Sequence, residues 1–273
     1  MPGTESHAAE FPAYETLRTA TVAPHVLQVT LHRPQVGNAL NTQMGLDLLD
    51  LWRRLTEDAG AVRCVVLTGT GDRIFCAGGD LKQRNGMTNS AWQRQHEIFE
   101  RAYWTLADLP LPVIAAVNGH AYAGGFEMAL CCDFIYASRA ARFALTEVTL
   151  GIMPGGGGTQ NLPRAIGERR AKEILMTGLP FGAEQALAWG VANEIFPQPE
   201  VLPRAIATAQ VIAGNAPLSI RQLKKSVRHG MQMDLRTAFH FEVEAYQMLV
   251  PTEDRLEGVR AFNEKRKPVF RGR

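Results

Sequence analysis

Asn118-Gly119-His120-Ala121-Tyr122-Ala123-Gly124-Gly125-Phe126-Glu127-Met128-Ala129-Leu130-Cys131-Cys132-Asp133 sets the pattern of the chain: an apolar run, a glycine turn and a helix start. The run that precedes it, Pro112-Val113-Ile114-Ala115-Ala116-Val117, is short and partly β-branched, which reads as a buried strand. Beyond Gly124-Gly125 come strong helix formers, Phe126 to Leu130, so the N–H groups near Gly124 are unpaired donors at a helix N-terminus. Such donors can hold negative charge. Gly124 and Glu127 lie three apart and share a helical face, which sets a carboxylate beside whatever oxygen the glycine N–H binds.

The same alternation extends outward. Upstream, Tyr14–Ala20 and His25–His32 alternate apolar with polar around Ala23-Pro24, a hairpin pattern. Thr42–Asp58 carries Leu46, Leu49, Trp52 and Leu55 at helical spacing, and Val62–Thr68 is a buried strand that empties into the turn-rich Gly69–Arg73. Phe75–Leu81 follows, then a polar, lid-like stretch over Lys82–Ser90, then a helix over Trp92–Leu109 ended by Pro110. Downstream, Phe134–Ala137 and Arg142–Glu147 read as extended pieces. Gly155-Gly156-Gly157-Gly158 is a tight turn feeding a helix from about Thr159. From Ala183 the pattern is helical: Ala183–Trp189, Val201–Gly214, Pro217–His229, Leu235–Leu249 and Thr252–Arg266. Strand and helix alternate through the first two thirds, so the fold class is α/β. The domain reading is a flexible arm over 1–12, a core with the active site over 13–197, and a helical assembly region over 198–273, divided near Pro197-Gln198-Pro199.

Composition narrows the function. The 273 residues are 46% hydrophobic with a net charge of only +2, enough to bury a core and too balanced to attract nucleic acid or an anionic membrane by total charge. Cys64, Cys76, Cys131 and Cys132 show no metal-ligand spacing, and buried free thiols suit a reducing compartment. No signal-peptide pattern opens the chain and no apolar run spans a bilayer, so the expected location is the cytoplasm. Walker A, G-x-G-x-x-G and G-x-S-x-G patterns are absent, and the seven histidines lack ligand spacing, so no metal site is expected.

Two glycine-bearing strand ends remain, Ala77-Gly78-Gly79-Asp80 and Ala123-Gly124-Gly125. Each either makes a turn only or offers a bare N–H; two N–H groups on one oxygen would form an oxyanion hole. Glu127 in a first helical turn either complements the helix dipole or acts chemically. Glu147 lies among Phe143, Leu145 and Val148, so it needs a salt bridge or a function. Facing one site, the two acids could divide the work of general acid and base. His120 reads as a packed loop histidine. Arg221, Lys224, Lys225 and Arg228 form a basic stripe, either a solvated face or a phosphate contact.

With these residues in view, the chain from about Tyr14 to Phe270 resembles the crotonase (enoyl-CoA hydratase/isomerase) superfamily. Phe75-Cys76-Ala77-Gly78-Gly79-Asp80-Leu81-Lys82 is similar to its first oxyanion segment and Ala123-Gly124-Gly125-Phe126-Glu127 to its second, which assigns the two donors to the N–H groups of Gly79 and Gly124. The hydratase branch's two catalytic glutamates map to Glu127 and Glu147. The resemblance implies a spiral of ββα units with a C-terminal helical trimerisation region, assembled as a homotrimer or hexamer. It implies an acyl-CoA thioester substrate with no separate cofactor, CoA contacts from Ala77, Asp80, Leu81 and Lys82, and further contacts from Phe262 and Lys265, often reaching a neighbouring subunit. The expected reaction is addition of water to a 2-enoyl-CoA to give a 3-hydroxyacyl-CoA, with Glu127 mainly activating water and Glu147 mainly protonating the α-carbon. The segments Ile152–Gly167 and Pro251–Gly258 also resemble methylglutaconyl-CoA hydratases, which leaves a branched-chain or aromatic-acid substrate open, as well as crotonase-type isomerase or lyase chemistry. RNA binders among those relatives make a scaffold or RNA-binding protein the alternative of a different class.

Overall fold

The computed structural model describes residues 11–273. The arm expected over 1–12 lies outside the described residues except for Phe11 and Pro12, and Phe11 packs against the core.

The chain opens with an antiparallel hairpin, β1 (Leu17–Ala23) and β2 (Val26–Leu31), turned at Pro24 and His25. Helix α1 (Thr42–Glu57) follows; the Asn41 side chain accepts the Met44 N–H at its start, and Met44, Leu48, Leu51, Trp52 and Leu55 line its buried face. Three turns of one unit come next. The first is β3 (Cys64–Gly69), β4 (Ile74–Cys76), α2 (Leu81–Arg84) and α3 (Asn89–Ala107). The second is β5 (Val113–Val117), β6 (His120–Tyr122) and α4 (Gly124–Cys131). The third is β7 (Phe134–Ser138), β8 (Arg142–Ala144), a 3-10 turn over Glu147–Leu150, α5 (Gly158–Ile166) and α6 (Glu168–Thr177). After β9 (Phe181–Gly182), α7 (Ala183–Trp189) and β10 (Glu194–Phe196), the chain ends in α8 (Gln198–Ala213), α9 (Pro217–Gly230), α10 (Leu235–Gln247) and α11 (Glu253–Asn263).

In each turn the first strand joins a six-stranded sheet, ordered β1-β2-β3-β5-β7-β10, and the second joins a four-stranded sheet, ordered β4-β6-β8-β9. This is the expected ββα spiral. The strands β4, β6 and β8 are parallel, so their C-terminal ends emerge along one edge. Ala77–Gly79, Ala123–Gly124 and Leu145–Glu147 each follow one of these ends. Three-residue strands hold few ladder bonds, and buried asparagines supplement them. Asn118 Nδ2 donates to the carbonyls of Gly69 (2.9 Å) and Gly71 (2.6 Å) while its Oδ1 accepts the Gly69 N–H (3.2 Å). Asn38 Nδ2 donates to Thr70 O and Ile74 O, both at 3.0 Å. Phe126 of α4 fills the space over the small sheet against Phe143 and Phe181, with ring centroids 5.1 and 5.8 Å away.

Four differences from the sequence reading have physical causes. His120 sits on β6, not in a loop; its Nδ1 accepts the Arg142 N–H (3.1 Å), so it serves packing. The lid-like stretch is largely ordered as helix. Asp80 caps α2, and Thr88 Oγ1 accepts the Ala91 N–H, which starts α3 three residues early. Glu147 begins a 3-10 turn instead of ending a strand. Finally, α8 does not stand with the tail: Val201, Ala205, Ala209 and Ala213 are buried against Val26, Val66, Ile114 and Ala116 on the outer face of the large sheet, so the change of layer falls near Gly214.

Candidate active site

The parallel edge of the small sheet opens on a cavity of about 520 Å³, lined by Ala77, Gly79, Gly124, Glu127 and Glu147. Leu40 bridges to the first glycine segment: its N–H donates to Gly78 O (2.8 Å) and its carbonyl accepts the Asp80 N–H (2.9 Å). Those bonds use the groups on either side of Gly79, and the Gly79 N–H has no acceptor among the described residues. The second donor stands at the α4 N-terminus. Both the Phe126 and Glu127 N–H groups turn back to Ala123 O, leaving the Gly124 N–H free among the described residues. Ala123 adopts φ 48°, ψ −127°, a conformation costing an L-residue about 1–3 kcal/mol. Its N–H donates to Ala144 O (2.8 Å), which fixes the sharp strand-to-helix corner. Tyr103 Oη donates to Gly124 O (2.8 Å) and holds the next peptide.

The two glutamates are buried but held differently. Glu127 Oε1 accepts the N–H groups of Gly156 and Gly158, both at 2.8 Å. Burial raises its proton affinity, and those two bonds oppose the rise. The four-glycine loop thus has a role beyond turning the chain: a Cβ on Gly156 would lie 2.2 Å from the Tyr103 ring and 2.9 Å from Glu127 Oε2. Among the described residues Glu147 makes no salt bridge, and its buried Oε2 has no hydrogen-bond partner. Burial first, then the charge of Glu127, push its carboxyl up to about 7. The pair combines a carboxylate fastened by two donors with one poised to carry a proton near neutrality.

The remaining expected residues separate. Leu81 joins the cavity lining. Asp80 lies beneath it: its Oδ1 caps the Lys82 and Gln83 N–H groups and its Oδ2 pairs with Arg33 (2.9 Å), contacts that outweigh burial and lower its pKa. Lys82 is exposed outside the cavity. Phe262, 83% exposed on α11, and Lys265 beyond that helix do not line it. Trp92, His96, Phe99 and Tyr103 form a wall the sequence reading had not assigned; their spacing along α3 places them on one face, which periodicity could have shown. Arg84 completes that wall. The basic stripe is largely committed within the chain. Lys224 Nζ binds Asp133 (2.8 Å) and Leu111 O (2.8 Å), Arg228 binds Asp108 (2.8 Å), and Lys225 lies over Phe241. The four cysteines are free, and burial raises Cys64, Cys76 and Cys131 to about 12.

Two sheets wound from ββα units, with glycine donors and acidic side chains gathered at the ends of the inner strands, define the crotonase fold. The chain belongs to the enoyl-CoA hydratase/isomerase family, whose family model matches residues 21–273. YngF of Bacillus subtilis is 41% identical over 248 residues, covering 91% of this chain and 95% of the relative. A short-chain-enoyl-CoA hydratase of Clostridium acetobutylicum is 39% identical, covering 89% and 92%. The crystal structure of an enoyl-CoA hydratase from Bacillus anthracis superposes with a TM-score of 0.93 at 39% identity, covering 95% of this chain and all of that one. Among the described residues no helix is long and apolar enough to cross a membrane.

Proposed function

We propose that the protein is a 2-enoyl-CoA hydratase, adding water across the 2,3 double bond to give a 3-hydroxyacyl-CoA. The observation that carries this reading is the asymmetry of the two acids in one cavity: Glu127 Oε1 holds two backbone donors, while Glu147 Oε2 holds none among the described residues. The thioester oxygen lies between the Gly79 and Gly124 N–H groups, which stabilise the enolate-like charge by about 3 kcal/mol per donor. That polarisation makes the β-carbon electrophilic. Glu127, whose two donors favour its charge against the burial that raises its proton affinity, takes a proton from water as the oxygen attacks the β-carbon. Glu147 delivers its proton to the α-carbon, and the proton held by Glu127 returns the pair to its starting state through solvent. The two acids titrate as a coupled pair.

The test is hydration of crotonyl-CoA by Glu127→Gln and Glu147→Gln. Each substitution keeps the shape and removes the proton transfer, so each is expected to cut turnover about a hundred- to ten-thousandfold. Full activity in either variant would overturn the paired mechanism. The proposed reaction draws only on this chain's own groups, water and the acyl-CoA substrate. The exposed apolar side chains of α9 to α11 support assembly as a homo-oligomer, with Phe262 reaching a neighbour's CoA.

A further inference from the structure

Hydration as described leaves one cation in the cavity without a task. Arg84 ends α2 and turns its guanidinium over the cavity wall, stacked 4.4 Å above the Trp92 ring and 5.7 Å from that of Phe99. Its Nε donates to Gln95 Oε1 (2.9 Å). Gln95 is buried and fixed in turn, its Nε2 donating to Thr42 Oγ1 (2.9 Å) and Gln83 Oε1 (2.8 Å). The fork is therefore held in place at one edge. Its two terminal nitrogens have no acceptor among the described residues. They lie where a Cβ on Gly79 would meet Nη1 at 3.0 Å and Nη2 at 3.5 Å, beside the proposed thioester donor.

A guanidinium partly withdrawn from water and left with unused donors is costly unless a ligand supplies the acceptor. Its planar fork fits a carboxylate with two parallel bonds. A CoA thioester can bring an anion from either of two parts, the phosphates of CoA or a carboxylate on the acyl chain. Position separates them: the long pantetheine arm keeps the phosphates away from the thioester, whereas Arg84 stands next to Gly79. Two glutamates in the same cavity would repel an anionic acyl chain that met no compensating charge.

We propose that Arg84 is a specificity-determining residue that binds a carboxylate on the acyl chain, so that the preferred substrates are 2-enoyl-CoA thioesters of dicarboxylic acids. The proposal rests on the acyl-CoA reading of the site, and its test needs no turnover. The probes are two saturated thioesters of equal chain length, glutaryl-CoA with a terminal carboxylate and pentanoyl-CoA with a methyl group in its place. Their affinities are measured by titration calorimetry on the wild type, Arg84→Gln and Arg84→Lys.

The wild type is expected to bind glutaryl-CoA roughly ten- to a hundredfold more tightly than pentanoyl-CoA, the range of a hydrogen-bonded charge. Arg84→Gln should erase that preference, and Arg84→Lys should restore part of it by charge without the fork. Equal weakening of both probes in Arg84→Gln would overturn the proposal, pointing to the CoA phosphates or the thioester oxygen. A wild type without preference, or a preference that survives the substitution, would overturn it as well. Failure of the hydratase reading shows separately, as pentanoyl-CoA binding without hydration of 2-pentenoyl-CoA.

Discussion

Glu147 carries a charge that folding penalises. Its carboxyl is pushed up to about 7, by burial first and by Glu127 second. The folded state therefore holds this proton more tightly than the unfolded chain, where a glutamate has its ordinary value near 4.3. The resulting stability is present below that ordinary value and is lost as pH rises through about 7. Glu147→Gln stays neutral at every pH. Its melting temperature should nearly match the wild type at pH 4 and exceed it at pH 8, and a gap that does not widen would show that Oε2 is solvated in solution. Gly156 carries a second prediction. An alanine Cβ would press on the Tyr103 ring at 2.2 Å, and the loop would have to move its N–H away from Glu127. Gly156→Ala should lose about 1–3 kcal/mol of stability in urea unfolding from overpacking, and crotonyl-CoA hydration should fall at least tenfold as Glu127 loses a donor.

At the scale of elements, a buried side chain ties the loop between β3 and β4 to the end of β5. Asn118 spans the start of the second ββα turn and the loop of the first, with its amide bonded to Gly69 and Gly71. Asn118→Ala would leave these buried backbone groups unpaired and should cost about 2–4 kcal/mol. Hydrogen exchange should quicken in residues 69–76 before it does in α1, whereas uniform loss of protection would mean that Asn118 supports the whole core. The same elements show how far the sequence could be read. Long periodic or apolar runs such as Thr42–Glu57 and Val113–Val117 declare themselves, because helix and buried strand each impose a pattern on many residues. The glycine pairs and the acids at 127 and 147 were legible for a related reason: bare N–H groups and apolar-embedded carboxylates stand out locally. Strands β4 and β6 were not, since three residues hold no measurable period and His120–Tyr122 resembles a turn, while β8 showed only as the start of the longer extended piece Arg142–Glu147. The positive φ of Ala123 was hidden because that conformation is imposed by the corner and not chosen by alanine. The hold of the Gly155–Gly158 loop on Glu127, and the aim of Arg84, come from contacts between distant segments that local sequence does not encode.

Over the whole molecule, the C-terminal helices invert the usual arrangement of a surface helix. α9 turns Lys224 and Arg228 toward the body, where they bind Asp133 and Asp108, and leaves Leu223 and Val227 exposed at 62% and 61%. α10 adds Phe239 and Tyr246, exposed at 61% and 64%. Burying such side chains releases about 1.5–3 kcal/mol each, which is the gain that the proposed assembly would draw on. The proposed occupant is a second copy, and the proposed part played by Phe262 makes the assembly testable through catalysis. Leu223→Glu with Val227→Glu changes residues far in sequence from the cavity wall and should convert the oligomer to monomers in sedimentation velocity, with helix content in circular dichroism retained. If Phe262 reaches a neighbour's CoA, Phe262→Ala should raise KM for crotonyl-CoA severalfold in the assembled protein and have no further effect on the dissociated variant. Equal effects in both backgrounds would place Phe262 on its own subunit's substrate, and no effect in either would remove it from the site. A chain that stays monomeric from the start would instead leave the apolar face to a different protein.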